Sequence, residues 1–274
     1  MGEKQKNIIK SLNQIIMKNQ TKPASIQTFI KIFDLLALKH SASQVFTHFL
    51  EMIIANASFD FENSVEKNYN KEDRQIFNQL FYEYVRVMEQ EIVISGKKWF
   101  DLFGILFEYI GLSSDRNGQF FTPEPICDFM ADIMVSDDTG INKRIADQAC
   151  GSGRLLLAAN TRAPGNLLIA ADIDQKCCLM TVCNFFFHGC LGEVVWCNSL
   201  FPNSYFGGWK LTKGYTDDGI LLPVPIIKKM EKEESVFFNN RHEILNSKKE
   251  ISSDYQEQVN KNHNNNAFGQ LSLF

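Results

Sequence analysis

The chain has 274 residues, of which 45% are hydrophobic and 22% are charged, and its formal net charge is −4. This length and composition allow a sizeable core in one or two domains. No apolar run is long enough to span a membrane, and Met1–Asn19 lacks the apolar block of a secretion signal, so we expect a cytoplasmic protein. Because the net charge is negative, any contact with DNA would need a local basic surface. The lysine-rich first fifty residues are either such a face or a solvated helical surface.

The N-terminal part of the chain has helical spacing and almost no strand pattern. Apolar residues recur at three- and four-residue steps in Ile26–Ala37, Val45–Ile53 and Asp73–Ile94, which predicts an all-helical region over residues 1–95. Trp99–Leu112 is apolar nearly all round, as expected of a helix buried between two layers.

Next, Thr122 and Pro123 suit the N-cap and first residue of a helix that reaches Val135. The pattern then becomes α/β. Three strands are predicted, at Arg144–Ala149, Leu167–Asp172 and Glu193–Asn198, with a helix over Gln175–His188.

After Leu200 the sequence pattern predicts an incomplete sheet. Phe201–Gly219 is rich in turn residues, and Ile220–Ile227 is the one further strand candidate, although two prolines interrupt it. The first strand is then expected at an exposed edge that the N-terminal helices or a second copy would cover. We therefore predict an α/β domain over residues 96–227 and a polar, mostly disordered tail over residues 228–274.

Cysteine usage indicates reduced thiols, because there are seven cysteines and no secretion signal. The five between Cys177 and Cys197 raise the alternative of a metal site. They contain no Cys-x-x-Cys pair and have no nearby histidine cluster, so we interpret them as small packed hydrophobic residues and predict no metal.

A candidate cofactor loop lies at the start of the α/β part. The apolar strand before Asp147 runs into a turn containing Gly151 and Gly153, and the apolar run Leu155–Ala159 begins a helix. One βαβ spacing later, the second strand ends at Asp172, the place where an acidic residue binds ribose hydroxyls in nucleotide-binding folds.

These residues resemble a known family. Asp147–Gly153 reads Asp-Gln-Ala-Cys-Gly-Ser-Gly, and Gly118–Pro123 reads Gly-Gln-Phe-Phe-Thr-Pro. Both are similar to boxes of the methylation subunits of type I restriction-modification systems, although Gln148 stands where the family has proline. Further similarity in Asp101–Tyr109 and Met180–Gly189 extends the resemblance from about Lys97 to Leu200.

The resemblance implies a Rossmann-like methyltransferase domain that uses S-adenosylmethionine (SAM) to methylate adenine N6 in DNA, with a specificity subunit as a further partner. Asp147 would hold the methionine amine, Asp172 the ribose and Asn198 the adenine edge, where the family has Asp. The cofactor-binding residues expected from the resemblance are Phe120, Phe121, Thr122, Asp147, Ala149, Gly151, Gly153, Asp172, Ile173 and Asn198.

In the family, an Asn-Pro-Pro-Phe/Tyr box binds the target amine. This chain has no Pro-Pro pair, so the box is missing. Asn203–Phe206 supplies an Asn and two aromatic residues. This segment follows the third strand directly, whereas in the family a further strand precedes the box. Two interpretations therefore stay open: an adenine-N6 methyltransferase, or a non-catalytic protein that binds SAM, DNA or both. A small-molecule methyltransferase is a third.

The last five residues, Gln270, Leu271, Ser272, Leu273 and Phe274, resemble the peptide by which bacterial polymerases and repair proteins dock on the sliding clamp. Leu and Phe would fill apolar pockets while Gln bonds at their rim. The alternative is an apolar tail that arose by chance.

Overall fold

The structure is a computed structural model. It describes residues 24–60, 62, 64–112, 121–135, 139–201, 203–216 and 218–239. The chain divides into two compact units, Met1–Thr122 and Pro123–Phe274. The boundary predicted after residue 95 therefore falls inside the first unit.

The described part of the first unit is helical, which confirms the prediction for the N-terminal region from residue 24 onward. Its α-helices are α1 (Gln27–Ala37), α2 (Ala42–Ala57), α3 (Lys71–Met88) and α4 (Leu102–Tyr109). Three helix starts are fixed by side chains that accept a backbone N–H three residues later. These caps are Ser41, Asn70 and Asp101. A π-helical segment, Glu89–Ile94, continues α3.

The core of the first unit is aromatic. The Tyr84 and Phe103 rings stack with centroids 4.6 Å apart, and Phe29 meets Tyr84 edge-on at 6.4 Å. Beside this core, the buried Asp73 carboxylate accepts hydrogen bonds from Lys39 Nζ (2.7 Å) and His40 Nε2 (3.0 Å). These bonds tie the end of α1 to the start of α3.

The second unit is a mixed α/β fold, as predicted. Its helices are α5 (Glu124–Met134), α6 (Arg154–Arg162) and α7 (Gln175–Phe187). Its strands are β1 (Arg144–Asp147), β2 (Leu167–Asp172), β3 (Gly192–Trp196), β4 (Gly207–Thr212) and β5 (Ile226–Lys229). The order is β1-β2-β3-β4-β5; the first three strands are parallel, and β4 and β5 are antiparallel additions.

The prediction was wrong about β4, which lies inside the stretch interpreted as turns. Its first two residues are Gly207 and Gly208, which are disfavoured in strands, so the sequence before Trp209 gives no strand signal. At Gly208 a Cβ would lie 2.9 Å from Met230 Cε and 3.1 Å from the Tyr205 hydroxyl oxygen, so a larger residue there would displace these side chains. The next predicted strand begins only at Ile226, because the prolines before it have no N–H for a sheet ladder.

Two further boundaries differ from the sequence interpretation. The predicted tail starts at residue 228, yet β5 reaches Lys229 and Phe238 is buried. Phe238 packs with Ile169, Val195 and other residues on one face of the sheet. At α5 the N-cap is Pro123 rather than Thr122, and it forms no side-chain cap bond.

β1 lies at an edge of the sheet, as expected, and its Arg144 and Ala146 are exposed. Which element or chain covers this edge remains a prediction. Within the described part of the chain, no helix combines the length and apolar character needed to cross a membrane.

Candidate cofactor site

The turn between β1 and α6 is the centre of the candidate site. Gly151 and Gly153 have φ angles of 55° and 86°, a left-handed conformation that glycine adopts without steric strain. The Cys150 N–H donates to Ala171 O at 3.0 Å, and the Gly153 N–H donates to Cys150 O at 2.8 Å. The turn is thus closed on itself and fixed to the end of β2.

Side chains of helix α7 form hydrogen bonds to the carbonyl oxygens of this turn. Thr181 Oγ1 donates to Gly151 O at 2.9 Å, and Asn184 Nδ2 donates to Ser152 O at 2.8 Å. At Gly153 a Cβ would lie 3.0 Å from Thr181 Cγ2, so close packing on α7 also requires glycine there. The sequence interpretation assigned no role to Thr181 or Asn184, although both lie in one of the boxes that resembled the family.

Asp172 connects the end of β2 to the glycine turn that follows β1. Its Oδ2 accepts from the Gly151 N–H at 2.9 Å, and its Oδ1 accepts from the Asp174 N–H at 2.9 Å. Partial burial raises the pKa of the Asp172 carboxyl, and these backbone N–H groups oppose the rise. The Ile173 N–H also lowers the pKa of this carboxyl, so three backbone N–H groups orient the Asp172 side chain.

Asp147 at the end of β1 is a second oriented carboxylate. Its Oδ1 accepts from the Ala149 N–H at 3.0 Å. Partial burial raises the pKa of Asp147, while the Ala149 N–H acts in the opposite direction. Ala149 itself is exposed, so the backbone of the turn is open to a ligand beside this carboxylate.

The third strand end carries Asn198. Ser204 Oγ accepts from the Asn198 N–H and donates to Asn198 O, both at 2.7 Å, and Asn198 Oδ1 accepts from the Leu200 N–H at 3.1 Å. Nearby, Trp196 Nε1 donates to Ile173 O at 3.0 Å, and the Ile173 side chain is 57% exposed. Asn198 therefore has a fixed backbone and a half-exposed side chain.

Asp147, Asp172 and Asn198 thus lie at the carboxyl ends of three adjacent parallel strands, the usual place for ligands in α/β sheets. Phe121 and Thr122 belong to the other compact unit. Phe120 and the C-terminal peptide Gln270–Phe274 lie outside the described residues.

Within Asn203–Phe206, the last three side chains form contacts that stabilise the fold. Ser204 fixes Asn198, and the Tyr205 hydroxyl donates to Met230 O, which ties the entry of β4 to the end of β5. The Phe206 ring packs against Trp196 with centroids 5.4 Å apart.

The cysteines near the site are buried thiols. Burial raises the pKa of Cys150 well above its usual value, and the neighbouring Asp172 charge acts in the same direction. Its Sγ is 3.5 Å from Thr181 Oγ1. A neutral, buried thiol of this kind packs as a small hydrophobic residue. Among the residues that the structure describes, no three His, Cys, Asp or Glu side chains are grouped to hold a metal ion.

Residues 100–203 match the N-6 DNA methylase family model. This match includes the turn after β1, Asp172 and Asn198. The similarity to N6-adenine methyltransferases therefore covers the segment that carries the candidate site.

Two individual proteins are also similar to parts of the chain. The Type II methyltransferase M.XamI from Xanthomonas campestris pv. amaranthicola is 35% identical over 80 residues, which are 29% of this chain and 15% of that protein. A type I restriction-modification methyltransferase subunit from Streptococcus thermophilus aligns over 58% of this chain and 40% of its own, with 19% identity and a TM-score of 0.29. The chain thus spans less than half the length of either protein.

Proposed function

We propose that the chain binds SAM and is a member of the SAM-dependent DNA adenine-N6 methyltransferases. The observation that carries this proposal is the bond between Asp172 and the Gly151 N–H, which holds an acidic strand end beside a glycine turn. The family match over residues 100–203 supports DNA as the methyl acceptor.

The residues at the strand ends suit the chemical groups of SAM. The Asp147 carboxylate would attract the methionine ammonium group, and the Asp172 carboxylate would accept from the ribose hydroxyls. The exposed Ile173 side chain would pack on the adenine ring, and the Asn198 amide would bond to its edge. Bound SAM supplies an electrophilic methyl group, and the task of these residues is to hold and orient it.

A thermal-shift experiment tests the site. SAM is expected to raise the melting temperature of the wild-type protein, because a ligand that binds the folded state stabilises it. Asp172→Ala is expected to abolish the shift, whereas Asp218→Ala, at an exposed turn position, should keep it. Equal shifts for both variants would refute the assigned role of Asp172.

The second candidate function is a SAM-binding protein without methyl transfer. The observation that favours it is the structural use of Ser204 and Tyr205 in a chain that has no Pro-Pro box. Transfer of labelled methyl groups from SAM to adenine in duplex DNA, assayed with and without a specificity subunit, distinguishes the two functions. Labelled N6-methyladenine would refute the non-catalytic candidate.

The C-terminal peptide supports a separate docking proposal. Its Gln-Leu-Ser-Leu-Phe sequence suits the apolar pockets of a bacterial sliding clamp. Removal of residues 270–274 is expected to abolish binding to purified clamp in a surface-plasmon-resonance assay. Clamp binding that survives the truncation would refute this role.

A further inference from the structure

The last two strands of the sheet carry a local excess of positive charge. Residues 207–213 and 226–232 contain five lysines and one acidic residue, Glu231, in a chain whose formal net charge is −4. Lys210 on β4 and Lys228 on β5 are direct partners in the antiparallel ladder. Directly opposed residues point to the same face of a sheet, so both lysines lie on one face, and both are exposed. We call Lys210 and Lys228 the lysine pair.

The carboxylates closest in the ladder and along the chain are bound to other groups. Glu193 on β3 is the partner of Lys210 on its other side and shares its face. The buried Glu193 carboxylate accepts from Ser235 Oγ and from two backbone N–H groups that follow it. The Glu231 carboxylate accepts from the backbone of its own helical turn. Among the residues that the structure describes, no carboxylate forms an ion pair with either member of the lysine pair.

Protection of the sheet edge does not account for the lysine pair. Lysines are common on edge strands, where they block pairing with another chain. β5 is an edge strand, but β4 is hydrogen-bonded to β3 on one side and to β5 on the other. Lys210 thus lies on an interior strand directly opposite a like charge, an arrangement that destabilises a sheet. A bound anion would remove this repulsion, so the lysine pair suits a ligand with closely spaced negative charges.

A DNA duplex has this chemistry, because each strand carries one phosphate about every 3.4 Å. The lysine pair is also close enough to the candidate cofactor site for one duplex to reach both. β4 pairs with β3, the strand that leads to Asn198. Lys210 is opposite Glu193, which precedes Asn198 by five residues. Five residues of extended chain span at most about 17 Å, the length of about five base pairs.

We propose that the lysine pair binds the phosphate backbone of duplex DNA beside the site of methylation. This inference deepens the proposed function and rests on it, because DNA is the methyl acceptor there. Contacts to phosphates fix the position and orientation of a duplex and carry no sequence information. The lysine pair therefore contributes affinity and orientation, and it binds duplexes of any sequence.

Fluorescence anisotropy with a labelled DNA duplex, measured on the full chain at several salt concentrations, tests the proposal. The double variant Lys210→Gln/Lys228→Gln is expected to bind more weakly. The slope of log affinity against log salt should fall in magnitude by about 2, because each phosphate contact contributes about 0.9. Lys210→Arg/Lys228→Arg keeps both charges and should bind like the wild type. Lys98→Gln/Lys143→Gln, the matched control, removes two exposed lysines elsewhere and should keep the wild-type slope.

The proposal predicts the same loss of affinity on duplexes of unrelated sequence. It is overturned if Lys210→Gln/Lys228→Gln keeps the wild-type affinity and salt slope, if the control variant loses as much, or if the wild type does not bind duplex DNA. Urea unfolding verifies that the double variant is folded; its midpoint should not decrease, because a like-charge repulsion is removed. The SAM thermal shift is measured separately on the same proteins. Failure of the proposed function thus appears as a missing SAM shift in the wild type, and failure of this inference as unchanged DNA binding in the variant.

Discussion

Substitution of Gly153 by alanine is expected to destabilise the second unit through two separable effects. The φ angle of 86° is left-handed, which costs an L-residue about 1 kcal/mol. The new methyl group would also lie 3.0 Å from Thr181 Cγ2 and 3.2 Å from Thr181 Oγ1, so α7 must shift, at a cost of about 1–3 kcal/mol. We expect a total loss of about 2–4 kcal/mol in the free energy of unfolding.

Two comparisons separate these effects in urea unfolding. Gly219 has a similar φ of 79° but no atom within 4 Å of an added Cβ, so Gly219→Ala should show the backbone cost alone, about 1 kcal/mol. Thr181→Ser removes the crowding methyl group and keeps the hydroxyl that bonds Gly151 O. In the double variant it should recover part of the Gly153→Ala loss. Equal losses at the two glycines, or no recovery with Thr181→Ser, would refute the packing argument.

Three further predictions concern buried or partly buried carboxylates. Asp73→Asn should lower the free energy of unfolding by about 2 kcal/mol, because two charge-assisted hydrogen bonds are weakened. The same bonds lower the pKa of Asp73 in the folded state. The stability that the Asp73 carboxylate contributes is therefore present above its pKa in the unfolded chain and is lost as the pH falls through its pKa in the folded protein. The melting temperatures of wild type and variant, measured from neutral to acidic pH, should converge. Glu193→Gln should cost about 1–3 kcal/mol in urea unfolding, because the buried carboxylate accepts from Ser235 Oγ and two following backbone N–H groups; an unchanged midpoint would refute this. Because burial raises the pKa of Asp147 and Asp172, SAM affinity should fall as pH is lowered into the acidic range, and an affinity that rises in acid would contradict ligand binding by the carboxylate forms.

The elements that the sequence predicted well have strong local patterns. Leu167–Asp172 is a continuous apolar run, typical of a strand buried on both faces, and the structure has a strand with the same bounds. Asp147 and Asp172 could be placed at neighbouring strand ends, because a parallel βαβ arrangement brings the carboxyl ends of its strands together.

The elements that were missed depend on contacts distant in sequence. β4 has two glycines and a lysine in a short strand, and its place is determined by pairing with β3 and β5. Phe238 follows a run of Lys and Glu that indicates a solvated tail, yet the Glu193 carboxylate binds the backbone beside it from more than forty residues away. Thr181 bonds the glycine turn across 30 residues, so local spacing could not reveal its role.

A calorimetric titration of the purified full chain with SAM tests the central claim most directly, because it requires no DNA, specificity subunit or clamp. The account predicts saturable binding at one site per chain, and loss of that binding in Asp172→Ala. The absence of a binding heat for the wild-type protein at millimolar SAM, at several temperatures, would contradict the assignment of a SAM site to the ends of β1, β2 and β3.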